Sequence, residues 1–207
     1  MASLAADFII HGSATTFSVP ASAPVPERSG SFRLRATTLE FAVADITLET
    51  TDAVVNPAGA GLVDLAIRRV AGPSLLDAFH AGTRKLPGAR LLPGHAFATQ
   101  GFELPTQHVI HCGPPVYADN PVRARSDLAS CHSEALRVAR DLGLSSIAFP
   151  AIGTGVYRYP VPEAAEIAVT TVVDELARHG GPALVRFVLF GPATLDVYAG
   201  IARALLG

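Results

Sequence analysis

From residue 39 onward the chain alternates between two hydrophobic periods. Segments 39–46, 52–56, 94–99, 108–111, 147–150 and 184–190 carry short apolar or alternating runs, the pattern of strands buried on one or both faces. Between them, apolar positions return every three or four residues. Val63, Ile67, Val70 and Leu75 do so across 63–80, and Leu128, Cys131, Ala135, Leu136 and Ala139 across 126–142. Segments 162–178 and 195–206 read as two further helices. Gly72-Pro73 interrupts the first helix, because proline lacks the N–H that would continue it. A turn joins the strands at 94–99 and 108–111. The alternation predicts an α/β fold, a sheet with a mostly parallel core and helices on both faces. Ligands in such sheets bind outside the carboxyl ends of the strands. The loops after Val43, Val55 and Ile152 leave from that edge.

Residues 12–31 break the pattern. Gly12-Ser13-Ala14-Thr15-Thr16 and Val19-Pro20-Ala21-Ser22-Ala23-Pro24-Val25-Pro26 have the composition of extended, weakly packed chain. The run Phe8-Ile9-Ile10 reads either as an extra edge strand or as part of a loose tail. The expected organisation is an extension over 1–36 and a single domain over 37–207, with no internal repeat.

Composition narrows the class. Of 207 residues, 49% are hydrophobic and 16% charged, too apolar for a chain disordered throughout. The net charge is -2 and no more than two Lys or Arg are adjacent. That excludes bulk binding to duplex nucleic acid, which needs clustered cations to displace counterions. Cys112 and Cys131 have no CxxC spacing and read as buried free thiols of a reducing compartment. The start has no basic n-region, and no stretch approaches the ~20 apolar residues of a membrane span. The expectation is a cytoplasmic protein with no membrane partner.

The chemistry gathers at Ala148-Phe149-Pro150-Ala151-Ile152-Gly153-Thr154-Gly155-Val156-Tyr157-Arg158-Tyr159-Pro160. A strand empties into a loop with two glycines, and a helix opens behind it. Such a loop can aim backbone N–H groups at an anion, with the positive end of the helix dipole adding to the pull. A dinucleotide fingerprint is not present, since Gly153-x-Gly155-x-x-Arg158 lacks the third glycine and falls late in the chain. No GxxxxGK[ST] or GxSxG string occurs. The seven histidines show no metal-ligand spacing. His108 and His111 share a strand at odd separation, hence opposite faces. Neither a metal nor a cofactor is expected. Arg84, Lys85 and Arg90 read either as a rim for an anionic partner or as a solvated loop. Glu163 and Glu166, after Pro162, answer the dipole of their helix.

Six strings in one order resemble the macro domains, which bind ADP-ribose: Ala44-Asp45-Ile46-Thr47, Asp52-Ala53-Val54-Val55-Asn56, Ala71-Gly72-Pro73, Pro93-Gly94-His95-Ala96, Leu104-Pro105-Thr106-Gln107-His108-Val109-Ile110-His111, and the glycine loop. The resemblance runs from about residue 39 to the C-terminus. It implies a three-layer α/β/α fold binding ADP-ribose, or a macromolecule carrying it. It also implies that Asp45 accepts a hydrogen bond from the adenine amino group, a task suited to an acceptor-only carboxylate. Asp45 also reads as a cap or turn residue. Ile46 would offer its N–H and pack on the base. Gly153, Thr154, Gly155, Val156 and Tyr157 would wrap the diphosphate, with Tyr157 over the distal ribose. Phe190 matches a position that stacks on adenine, and core packing is its other reading.

Hydrolases of the family carry a longer loop after the Asn56 position, with a second asparagine and a glycine run. Here the text is Asn56-Pro57-Ala58-Gly59-Ala60-Gly61-Leu62-Val63-Asp64. Gly59 stands where a ribose-binding asparagine is expected, and Asn56 reads as holding the loop internally. Asp64 is the acid retained for a catalytic role, and a helix N-terminal acid is its other reading. Three functions follow from this pattern. A binding module is favoured by the curtailed loop. An ADP-ribosyl hydrolase is favoured by Asp64 and the intact second loop. The third is a macro-like scaffold with a repurposed pocket.

Overall fold

The computed structural model describes residues 28–207. The Phe8-Ile9-Ile10 strand and most of the Pro/Ser/Ala-rich segment lie outside the described residues. Seven strands form one sheet in the order β1-β2-β7-β6-β3-β5-β4. They are β1 (Arg28–Leu34), β2 (Thr37–Val43), β3 (Ala53–Pro57), β4 (Ala96–Gln100), β5 (His108–Cys112), β6 (Ser146–Phe149) and β7 (Leu184–Leu189). The five inner strands run parallel, and β1 and β4 close the two edges antiparallel. All five residues of β3 are buried, as expected of a central strand covered on both faces.

Helices α1 (Leu62–Ala71) and α2 (Pro73–Thr83) cover one face. Ile67, Ala71 and Leu75 pack there on Val54, Val109, Ala148 and Val188. Gly72 takes φ +78° between the two helices, and Pro73 begins the second at a position that needs no N–H. Helices α3 (Pro121–Asp141), α4 (Val161–His179) and α5 (Pro192–Leu206) cover the other face over a larger core. There Phe41 and Phe187 stack with centroids 5.4 Å apart, and Tyr198 and Phe149 pack against Phe187.

The sheet is tied across its parallel core by polar side chains. The Arg186 guanidinium donates to Glu40 at 2.8 and 3.0 Å and to Glu49 at 2.7 Å. Asp52 Oδ2 accepts the Ser145 and Ser146 N–H groups at 2.7 and 2.9 Å, fixing the start of β6 beside β3.

Several boundaries differ from the sequence reading, among them the end of β2, which stops at Val43 and gives way to a turn where the apolar run predicts a strand to Ile46. The loop-like segment gives way to β1 already at Arg28, paired on β2. Helix α3 begins five residues before Ser126, where Asn120 caps it by accepting the Arg123 N–H at 3.0 Å.

The strand order reverses between β6 and β3. The loop after β3 leads to a helix on one face, and the loop after β6 to a helix on the other. That divergence opens a crevice at the carboxyl edge, where open α/β sheets place their ligands.

Candidate functional site

Four loops border this crevice. Strands β2 and β7 are parallel neighbours, with Val43 opposite Leu189, so Asp45 and Phe190 leave the sheet side by side. Asp45 is exposed and caps the 3-10 turn Ile46–Leu48. Its Oδ1 accepts from Thr47 N at 2.9 Å and Thr47 Oγ1 at 2.8 Å. One oxygen holds the turn, and Oδ2 has no partner among the described residues. The cap and the acceptor are therefore compatible roles of one side chain. Ile46 is buried against α1, and its N–H has no acceptor among the described residues. Phe190 is 77% exposed, so it does not belong to the core.

The glycine loop leaves β6 between Asp45 and the first loop. Thr154 folds back onto the Ala151 carbonyl through Oγ1 at 2.9 Å and N at 3.4 Å. Arg158 N–H donates to Gly155 O, and Tyr159 N–H to Gly153 O. These bonds draw the chain into a compact turn in which Gly153 takes φ +83°. The N–H groups of Gly153, Gly155, Val156 and Tyr157 have no acceptor among the described residues. Donors left open in this way ahead of a helix N-terminus have the chemistry that an anion requires.

The first loop, 58–61, spans four residues between β3 and α1. Gly59 lies directly against Tyr157, since a Cβ there would overlap the Tyr157 hydroxyl, and Gly61 meets Val156. The two loops thus touch across the crevice, and a side chain at residue 59 would push the Tyr157 hydroxyl aside.

Beneath the loop runs a buried polar chain. Asp64, fully buried on α1, accepts from Asn56 Nδ2 at 2.8 Å and Arg68 Nε at 3.0 Å. Its Oδ2 lies 2.9 Å from Arg68 Nη2. Asn56 Nδ2 also meets His111 Nδ1 at 3.2 Å, and His111 Nε2 meets Thr99 Oγ1 at 2.9 Å. Burial, with the nearby Arg68 cation adding to it, lowers the His111 pKa to about 3. The ring is therefore neutral: Nδ1 accepts from Asn56, and Nε2–H donates to Thr99, whose hydroxyl donates on to Gln100 O at 3.1 Å.

The carboxyl edge thus gathers Asp45, Ile46, Gly59, the Gly153–Tyr157 stretch and Phe190. Asp64 instead faces inward, under the first loop. Sequence reasoning missed Arg68 and His111 as supports of that loop. The signal for Arg68 was its i, i+4 spacing from Asp64. His111 becomes a partner of Asn56 only through the register of β3 on β5. Among the described residues, no group of three His, Cys, Asp or Glu is arranged to hold a metal, and no helix is long and apolar enough to cross a membrane.

Comparisons with known proteins identify the family and the fold. The macro domain family model matches residues 53–168. A macro domain-containing protein of Chlorobaculum tepidum is 45% identical over 160 residues, covering 75% of this chain and 90% of its own. An O-acetyl-ADP-ribose deacetylase of Citrobacter koseri is 43% identical over 159 residues, covering 74% and 89%. The solved Oceanobacillus iheyensis macrodomain with ADP superposes with a TM-score of 0.81 at 38% identity, covering 85% of this chain and 95% of that one. A Trypanosoma brucei macrodomain in complex with ADP-ribose gives 0.66 at 32% identity, over 78% and 68%. With its sheet order, its crevice and relatives aligned over three quarters of its length, the chain belongs to the macro domain family.

Proposed function

We propose that the chain binds ADP-ribose in the crevice at the carboxyl edge, and so reads or processes ADP-ribosylation. The observation that carries this is the set of unpaired N–H donors at Gly153, Gly155, Val156 and Tyr157, with Asp45 and Phe190 flanking them. In this reading Asp45 Oδ2 takes the adenine amino group, the Ile46 N–H completes the base contact, and Phe190 stacks on the ring. The donors hold the diphosphate. Tyr157 covers the distal ribose, and its hydroxyl above Gly59 supplies a polar group that a shortened first loop does not.

Calorimetric titration with ADP-ribose, with AMP for comparison, tests it. Micromolar binding, clearly tighter for ADP-ribose than for AMP, is the expected result. Asp45→Ala should weaken both ligands about 10-fold, the worth of one charge-assisted hydrogen bond. Asp45→Asn keeps an oxygen for the Thr47 cap and controls for damage to the turn. No detectable heat at millimolar ADP-ribose defeats the reading and leaves the scaffold alternative.

A second reading is hydrolysis of a bond at the distal ribose, an ester or an ADP-ribosyl link, favoured by relatives named O-acetyl-ADP-ribose deacetylase. Here Asp64, committed to Arg68 and Asn56, holds the first loop, and the ligand's own phosphate orients the water. Release of ADP-ribose from O-acetyl-ADP-ribose or a mono-ADP-ribosylated protein separates turnover from binding alone.

A further inference from the structure

Gly59 also borders a second cleft, of about 280 Å³, between the first loop, Arg68 of α1, the end of α2 and the segment Ala89–Leu91 at the 3-10 turn Pro87–Ala89. Its walls include Arg68, Phe79, His80, Arg90 and Leu91, and no carboxylate lines it. Arg68 is fixed there before any ligand arrives. Nε and Nη2 hold Asp64, and the Phe79 ring centroid lies 5.6 Å from its guanidinium carbon. A planar guanidinium bound along its Nε–Nη2 side still has Nη1, and the outer hydrogen of Nη2, for a second anion. The Arg68 side chain is 30% exposed, so that edge can be reached. Arg90 is exposed and joins no ion pair among the described residues. The cluster noted in the sequence thus divides, with Arg90 lining the cleft and Arg84 and Lys85 exposed on the turn before it.

The lining sets two guanidiniums, Arg68 and Arg90, beside the apolar Ala58, Phe79, Ala89 and Leu91. A bare inorganic anion seeks donors on all sides. A carboxylate on a short aliphatic arm suits a cleft where Phe79 and Leu91 take the arm and the guanidiniums take the head. The cleft also shares Gly59 with the nucleotide crevice, on the side where the distal ribose would end. We propose that this cleft is an acceptor-side subsite, which takes an Asp or Glu side chain of an acidic peptide next to its ADP-ribosylated residue. The proposal rests on the crevice being the ADP-ribose site.

The test uses the whole chain and synthetic mono-ADP-ribosylated peptides, one with aspartates flanking the modification and one with serines. Binding is followed by fluorescence anisotropy at low and high salt, beside a calorimetric titration of free ADP-ribose. At low salt the acidic peptide should bind about 3- to 5-fold more tightly, the range for partly exposed ion pairs. High salt should erase the preference. Arg90→Glu should abolish or invert it, with the affinity for free ADP-ribose unchanged. Equal affinity for both peptides overturns the proposal, as does a preference that survives Arg90→Glu. An ADP-ribosylated oligonucleotide that outcompetes the acidic peptide, and loses its advantage in the same variant, overturns the peptide assignment. If free ADP-ribose binds and the flanks make no difference, this proposal alone fails. If free ADP-ribose does not bind, the crevice reading fails with it.

Discussion

Moving from neutral pH to about pH 4.5 should cost the fold about 5 kcal/mol through two histidines alone. Burial lowers His111 to about 3 and His132 to about 4, from an ordinary value of 6.5. Both rings lie in the interior at 1% exposure. His132 Nδ1 pairs with Leu128 O at 2.9 Å, and its Nε2 has no partner among the described residues. Between the folded and unfolded values, the unfolded chain binds these protons and the folded chain does not. The stability they represent is complete above about pH 6.5 and drains away as the pH falls towards 4 and then 3. Each ring contributes roughly 2–3 kcal/mol of the loss at about pH 4.5, a large share of the ~5–15 kcal/mol that keeps a domain folded. Urea unfolding midpoints across this range measure it. His132→Leu should flatten the slope by about half without touching the carboxyl edge, and His111→Gln should remove most of the remainder. A midpoint that stays level from neutral pH to about pH 4.5 would show that these rings are protonated in the folded state.

Asp64→Ala should destabilise the domain by about 3 kcal/mol, the low end for breaking a buried ion pair, because Arg68 can still reach water. For a domain of this size that lowers Tm by about 10 °C. The change strips the acceptor from Asn56 Nδ2 and from two Arg68 nitrogens at once, so the first loop loses its anchor. Asp64→Asn keeps an oxygen for Asn56 and gives up the charge, and should fall between. Calorimetric melting and ADP-ribose titration on both variants separate anchoring from chemistry. If Asp64 anchors, ligand affinity and any turnover decline in step with Tm across the pair. A stable Asp64→Asn protein that binds ADP-ribose normally and has lost turnover would make Asp64 a catalytic group.

The parts of the fold that were legible are those with an unbroken period. Helices α4 and α5 and strands β6 and β7 fall within a few residues of their apolar repeats. Strand β1 was hidden by the Pro/Ser-rich run before it, with only Phe32 and Leu34 as apolar positions. The first turn of α3, Pro121-Val122-Arg123-Ala124-Arg125, has almost no apolar repeat, and Asn120-Pro121 was its one written signal: a cap followed by proline at the first helical position. At the edge, the position of the glycine loop after β6 was legible because the apolar run ahead of it ends in glycines, whose backbone freedom is a property of the residues themselves. The chain from Thr99 through His111 and Asn56 to Arg68 was not. It joins residues 55 positions apart through strand register, which no local pattern encodes. The exposure of Phe190 was likewise undecidable locally, since an aromatic one residue beyond a strand can turn either way.

The Arg186–Glu40 tie spans 146 residues of chain. During synthesis, Asp45 leaves the ribosome long before the strand that must stand beside it. Until β7 is delivered, β2 has no parallel neighbour and Phe190 has no position. A nascent chain halted before residue 184 therefore carries the complete glycine loop without the paired β2–β7 edge beside it. In the proposed reading, competence to hold a nucleotide then arrives as one event, when β7 joins the sheet.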